Sequence, residues 1–348
     1  MIPVSVITGF LGSGKTTLLG RLLRDPAMSR TAVIINEFGA IALDHDLIET
    51  SDESFVQLTN GCLCCNVRSD LTLTLGDLAA RRAQGTLPPF ERVVIETSGL
   101  ADPAPILHAL MTDRDLIGIY ALDGVITTVD ALLGMAALDH HEEARRQVAV
   151  ADRIVMTKTD LAEARAIRQR LAAINPGAPV IAAVRGAIAP SVLFDCGLVE
   201  GKHADVGAWL GHPSTAAAGE PEYRAHHRHQ QAETITSFCI VREQPLHAVT
   251  LPLLLSALAE NCGADLWRMK GIVNVLEAPE RPAVIHGVQH VYHAPVWLPR
   301  WPSAERSTRM VFIGRNLRES WVRTLIELLD AEAAAESARH TSERAPHP

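Results

Sequence analysis

The chain has 348 residues, 47% of them apolar, with 32 basic against 40 acidic side chains and a formal net charge of -8. That length suits a large domain plus a smaller one, and the apolar fraction supports a sizeable core and excludes global disorder. An acidic chain without a dense Lys/Arg stripe is a poor nucleic-acid binder, no stretch reaches the length of a membrane span, and six cysteines in this length make no disulfide framework.

Pro3 to Thr8 reads as a first strand, too short and too poor in basic flanks for a signal peptide. A helix is expected over Thr16 to Arg24. Between them, Gly9-Phe10-Leu11-Gly12-Ser13-Gly14-Lys15-Thr16 fits the phosphate-loop pattern G-x-x-x-x-G-K-[ST] in full. Glycines let backbone N–H groups close around phosphates, and the helix N-terminus adds its dipole. Lys15 is expected to reach the β- and γ-phosphates and the Thr16 hydroxyl to hold Mg²⁺. Gly9, Gly12, Ser13, Gly14 and Thr17 complete the expected cradle.

Thr31 to Ile35 reads as a second strand. After it, Gly61-Cys62-Leu63-Cys64-Cys65 places three thiols in four positions. On extended chain Cys62 and Cys64 share a face, with Cys65 opposite unless the chain turns. Thiolates select Zn²⁺ or Cu⁺ over Mg²⁺, and three of them leave a fourth position open for a metal that must later leave. A redox pair and buried structural thiols are the other readings. Cys196, Cys239 and Cys262 stand alone and read as core.

Arg92 to Glu96 is a strand running into Thr97-Ser98-Gly99. An acid at a strand end can bind a Mg²⁺ water, and the Gly99 N–H can meet the γ-phosphate. Gly124 to Asp130, Arg153 to Thr157 and Pro179 to Val184 are further strands. All are near-continuous apolar runs alternating with helix-like segments, which predicts an α/β fold: a parallel sheet with helices on both faces. His140 to Gln147 reads as a solvated helix face. The strand ending at Thr157 runs into Lys158-Thr159-Asp160. Asp160 can accept from guanine N1 and N2, which adenine lacks, while the Lys158 stem packs over the base.

Residues 201–232 are rich in Gly, Ala, Pro and His and read as a linker, with His226, His227 and His229 solvated or forming an auxiliary metal tether. A smaller α+β domain is expected over 233–330. Its strands are Ile235 to Val241, Ile272 to Leu276, Ala283 to His286 and Arg309 to Gly314. Its helices are Thr250 to Asn261 and Arg318 to Leu329. His286, His290 and His293 read as surface or hydrogen-bonded residues before metal ligands. The tail 331–348, rich in Ala, charge and Pro, is expected to fray.

The phosphate loop, Asn36-Glu37-Phe38-Gly39, Gly61-Cys62-Leu63-Cys64-Cys65 and Glu96-Thr97-Ser98-Gly99 together resemble the CobW-type P-loop GTPases, relatives of the nickel-insertion GTPases of urease and hydrogenase maturation. The resemblance extends to the second domain, through Trp267-Arg268-Met269-Lys270-Gly271 and Arg309 to Gly314. It implies a Mg²⁺-dependent GTPase, converting GTP to GDP, that delivers Zn²⁺ or Co²⁺ to a client metalloprotein or metal-insertion enzyme; the clustered cysteines, without an export signal, fit a reducing cytoplasm. Carried over, Glu37 lies in the first switch near Mg²⁺ or the delivered metal, and Cys62, Cys64 and Cys65 are the metal motif. Two positions depart from the family pattern. Thr157 stands where the guanine motif usually begins with Asn, and Ala40 where a second acid often follows the switch motif. A non-catalytic metal store or sensor with GTP as a structural ligand, and a thiol-redox regulator, are the competing readings. The sequence sets neither the client nor the oligomeric state.

Overall fold

The computed structural model describes residues 1–35, 55–57, 67–195 and 235–343. Glu37, Ala40, Cys62, Cys64, Cys65, Cys196 and the histidines of 201–232 lie outside the described residues. The chain divides into two units, Met1–Gly211 and His212–Pro348.

The first unit holds β1 (Ile2–Gly9), α1 (Lys15–Leu22), β2 (Thr31–Ile35), β3 (Phe55–Gln57), α2 (Val67–Ala83), β4 (Arg92–Glu96), α3 (Ala104–Thr112) and β5 (Tyr120–Asp130). It continues with α4 (Gly134–His140), α5 (Glu142–Ala149), β6 (Arg153–Thr157), α6 (Arg165–Ile174), β7 (Val180–Ala183) and α7 (Pro190–Leu193). The seven strands form one sheet in the order β3-β2-β4-β1-β5-β6-β7, and every pair is parallel. The apolar runs are apolar because both faces are covered. Ile7, Val94, Ile126 and Val155 pack with Leu18, Leu19 and Leu22 of α1 and Leu193 of α7. Thr127, one residue past Ile126 and so on the opposite face, donates its hydroxyl to the Gln147 carbonyl of α5 at 2.7 Å. From β1 the chain winds to one side for β2 and β4, then crosses to the other for β5 and β6. Ligands of open parallel sheets bind in the crevice beyond the strand ends at such a reversal. The ends of β1, β4 and β6 all lie on that edge.

The expectation for β5 is corrected at its start, because the strand begins at Tyr120, not Gly124. The register shifts between Val4 and Ser5, opposite this stretch, and Asp123 is taken up as a buried acceptor. It receives the Ser5 hydroxyl at 2.7 Å and the Arg92 guanidinium at 2.9 Å.

The second unit holds β8 (Ile235–Arg242), α8 (Thr250–Cys262), β9 (Leu266–Val273), β10 (Ala283–Val288), β11 (Val291–Tyr292), β12 (Val296–Trp297), β13 (Thr308–Arg315) and α9 (Glu319–Glu343). The antiparallel order is β11-β10-β9-β13-β8, with β12 pairing β10. Strand alternation presents Met269, Val273, Ile285, Met310 and Phe312 to one core, which Leu251, Leu254 and Leu258 of α8 and Val322 and Ile326 of α9 fill. This is the α+β unit expected, with two corrections. The strand placed at 272–276 runs over Leu266–Val273, because Arg268 and Lys270, which disguise it in sequence, are themselves buried. The last helix does not stop at Leu329 with a frayed tail behind it. It runs to Glu343, since the Ala- and Glu-rich segment is made of strong helix formers and meets no proline before Pro346.

Candidate functional site

β1 ends at Gly9, where φ is +143° and an added Cβ would stand 2.3 Å from the Thr128 hydroxyl, so only glycine fits. Beyond it the chain folds into a tight loop, with the Ser13 N–H on the Phe10 carbonyl at 3.1 Å, and α1 starts at Lys15. The neighbouring strand ends hold this loop from outside. Ser13 and Thr128 hydroxyls meet at 2.6 Å, Thr157 donates to the Ser13 carbonyl at 2.8 Å, and Lys158 donates to the Gly12 carbonyl at 3.0 Å. The Lys15 ammonium lies in the mouth, 2.8 Å from the Gly9 carbonyl and 3.3 Å from that of Phe10. Thr16 and Thr17 are exposed on the first turn of α1.

Glu96, at the end of β4, pairs with Ile7 in register and is buried. Its carboxylate accepts the Thr16 hydroxyl at 2.7 Å. Two oxygen donors, 80 residues apart in sequence, thus meet beside the loop. Hard oxygen ligands in small number, leaving room for water and phosphate oxygens, suit Mg²⁺. Gly99 follows on the same edge, where an added Cβ would come within 2.8 Å of the Leu11 backbone. Its peptide therefore lies directly against the loop.

At the far side, Lys158 takes a positive φ of 55° and turns back toward the loop, paired with Asp130 of β5. Asp130 also accepts the N–H groups of Leu132 at 2.8 Å and Leu133 at 3.2 Å. Asp160 is exposed in the turn closed by the Leu161 N–H on the Lys158 carbonyl, at 3.0 Å.

The two halves of the chain match two family models. The nucleotide-binding domain described as CobW/HypB/UreG matches residues 3–182, and the cobalamin synthesis protein cobW C-terminal domain matches residues 235–329. The chain belongs to the CobW/HypB/UreG family. The zinc chaperone YjiA of Escherichia coli K12 is 35% identical over 323 residues, 92% of this chain and 96% of that protein. The zinc chaperone CobW of a Sinorhizobium species is 30% identical over 365 residues, 94% of this chain and 97% of that one. The crystal structure of Zn(II)-bound YjiA GTPase from Escherichia coli matches with a TM-score of 0.68 at 28% identity, over 94% of this chain and 98% of that one.

For a chain of the CobW/HypB/UreG family, the structure draws Lys15, Thr16, Glu96, Gly99, Thr157, Lys158 and Asp160 to one edge of the sheet. The thiols and Glu37 lie outside the described residues. Among the described residues no group of three or more His, Cys, Asp or Glu side chains is placed to hold a metal, and His286, His290 and His293 form no such group. Cys239 and Cys262, expected in the core, are only partly buried. Cys262 packs against the second core and donates to the Leu258 carbonyl, and burial, with Asp265 nearby, pushes its thiol up to about 11. Burial also raises Cys239. Neither is a ready thiolate.

The expectation of a solvated face over His140 to Gln147 is corrected. α5 is amphipathic, and Ala144 and Gln147 are buried. Three contacts around the site have no motif. They are Asp130 on Lys158, the Phe10 ring on His141 with centroids 4.4 Å apart, and the Gln147 amide on the Gly99 loop.

Proposed function

We propose that the chain is a Mg²⁺-dependent GTP hydrolase acting as a metallochaperone for Zn²⁺, with Co²⁺ as the other candidate cargo. The observation that carries the hydrolase reading is the Thr16 hydroxyl on the Glu96 carboxylate, 2.7 Å apart, beside the Lys15 ammonium. Thr16 would hold Mg²⁺ and Glu96 would orient a water on it. Bound Mg²⁺ would supply positive charge beside the phosphates, and Lys15 would offset the charge that spreads over the phosphate oxygens as water attacks the γ-phosphorus and the bond to the bridging oxygen breaks, leaving GDP and phosphate. Guanine would be read by Asp160, with Lys158 over the ring and Thr157 anchoring the loop.

The cargo reading rests on the zinc chaperones that match almost the whole chain, and on the sequence Cys62, Cys64 and Cys65 with Glu37 before them. GTP would order the switch around Glu37, and hydrolysis would loosen it and release metal to a client metalloprotein. In this reading residues 1–200 are the GTPase domain, 201–232 a linker, and 233–330 a domain that helps choose the client. Among the described residues no helix is long and apolar enough to cross a membrane, and the proposed place of work is the cytoplasm.

Lys15→Ala tests the hydrolase. Steady-state GTP turnover should fall by about 100-fold or more, the scale of losing a preorganised transition-state contact. Turnover equal to wild type would refute it.

A further inference from the structure

Gln147 is wholly buried, on a helix that otherwise carries charge. A buried amide left without hydrogen bonds is strongly destabilising, so its contacts explain its presence. Its Nε2 donates to the Gly99 carbonyl at 3.2 Å and to the Ala101 carbonyl at 3.0 Å. Both partners are carbonyls, so the nitrogen must face them. The helix behind it is fixed. Thr127 of β5 holds the Gln147 carbonyl, and the Asn175 amide caps the helix end on Val148, Ala149 and Ala151. Arg146, the residue before it, reaches the same loop through Asp102 at 2.8 Å. At its other end the helix meets the phosphate loop, where His141 lies on the Phe10 ring.

Gly99 is therefore held at two points, its Cα against Leu11 of the phosphate loop and its carbonyl by the Gln147 amide. We infer that Gln147 is a positioning residue for hydrolysis: by holding the Gly99 carbonyl it fixes where that residue sits, and so limits the swing of the Gly99 N–H, which belongs to the preceding peptide and meets the γ-phosphate. GDP has no γ-phosphate and does not use this alignment. The inference rests on the reading of Gly99 as a γ-phosphate contact.

Two variants of the full chain test it. Gln147→Met keeps length and loses both donors. Its kcat should fall about 10- to 100-fold, as for misplacement of a reacting group, with Mg²⁺-GDP affinity unchanged and the preference for a non-hydrolysable GTP analogue over GDP lost. Gln147→Glu regains one donor when its carboxyl is protonated, so its kcat relative to wild type should rise as pH falls. His140, His141, Asp102 and Arg146 are common to both proteins and cancel in that ratio.

An unchanged kcat in folded Gln147→Met overturns the inference. So does equal weakening of GDP and analogue, which marks a merely structural role. If that variant does not fold, a pH-independent ratio for Gln147→Glu overturns it instead. A wild type that binds GDP and analogue equally overturns the reading of Gly99 itself. A wild type that discriminates, beside a variant that discriminates as well, overturns only the assignment of Gln147.

Discussion

Thr157 donates its hydroxyl to the Ser13 carbonyl across 144 positions of sequence, at 2.8 Å. It thereby ties the end of β6 to the phosphate loop, and this is the position where the family pattern usually has Asn. The loop anchor is supplied by a smaller side chain. Thr157→Val keeps the shape and removes the donor, leaving a buried carbonyl short of a partner at a cost of about 1–3 kcal/mol. GTP and GDP affinity should weaken together, while Thr157→Ser should stay near wild type. Fluorescent-nucleotide titration measures both, and a Thr157→Val protein with wild-type affinity would remove the anchor from the account.

Asp160→Asn should exchange the acceptor pair for a donor and move preference from GTP toward xanthosine triphosphate. Sites built on such hydrogen bonds reject analogues lacking them by about 10⁴-fold or more at the upper end. Competition between the two nucleotides reads the switch. A variant that keeps its full preference for GTP would place guanine recognition elsewhere.

The second unit carries a pH-dependent tie. Burial alone would raise the Asp330 carboxyl. The His247 backbone N–H and ring, the Thr250 hydroxyl and the Arg242 charge outweigh it and hold the group below its usual value. A carboxyl lowered in the folded state contributes stability that is fully present above its unfolded value, about 3.9 for Asp. That stability is lost as pH falls through the folded value. Urea unfolding of the full chain, followed by signals of the second unit, should show an acid limb that Asp330→Asn flattens. An acid limb identical in both proteins would contradict the role given to Asp330.

What the sequence made legible follows from how each feature is encoded. The phosphate loop is a contiguous pattern with a mechanism, and β1, β4 and β6 are apolar runs because both faces are covered. Glu96 stands out in sequence because it ends such a run, and Asp160 because it follows one. Gln147 does not, since it sits in a charged segment beside Arg145 and Arg146. The available signal was spacing: Ala144 and Val148 lie four apart, with Gln147 on the same helix face. In sequence Asp130 shows only as a strand end, because nothing in the chain order ties it to Lys158, 28 positions away. β9 is hidden in sequence because burial of Arg268 and Lys270 depends on what surrounds them in space.

The central claim is that nucleotide and metal are coupled, and Zn²⁺ affinity measured anaerobically in the apo, Mg²⁺-GDP and Mg²⁺-GTP-analogue states tests it most directly. Only Asn36 separates Ile35, the end of β2, from Glu37, and the three thiols lie between that proposed switch and Glu96 in sequence. A switch ordered by the γ-phosphate should organise the thiols before metal arrives. The account predicts Zn²⁺ binding tighter with the analogue by about 5- to 150-fold, with Zn²⁺ tightening the analogue by the same factor, as linkage requires. GDP should show a smaller effect, and Cys64→Ser should abolish the coupling while Cys262→Ser should leave it intact. Identical Zn²⁺ affinity in all three states would contradict the account and leave a GTPase whose metal site its nucleotide does not govern.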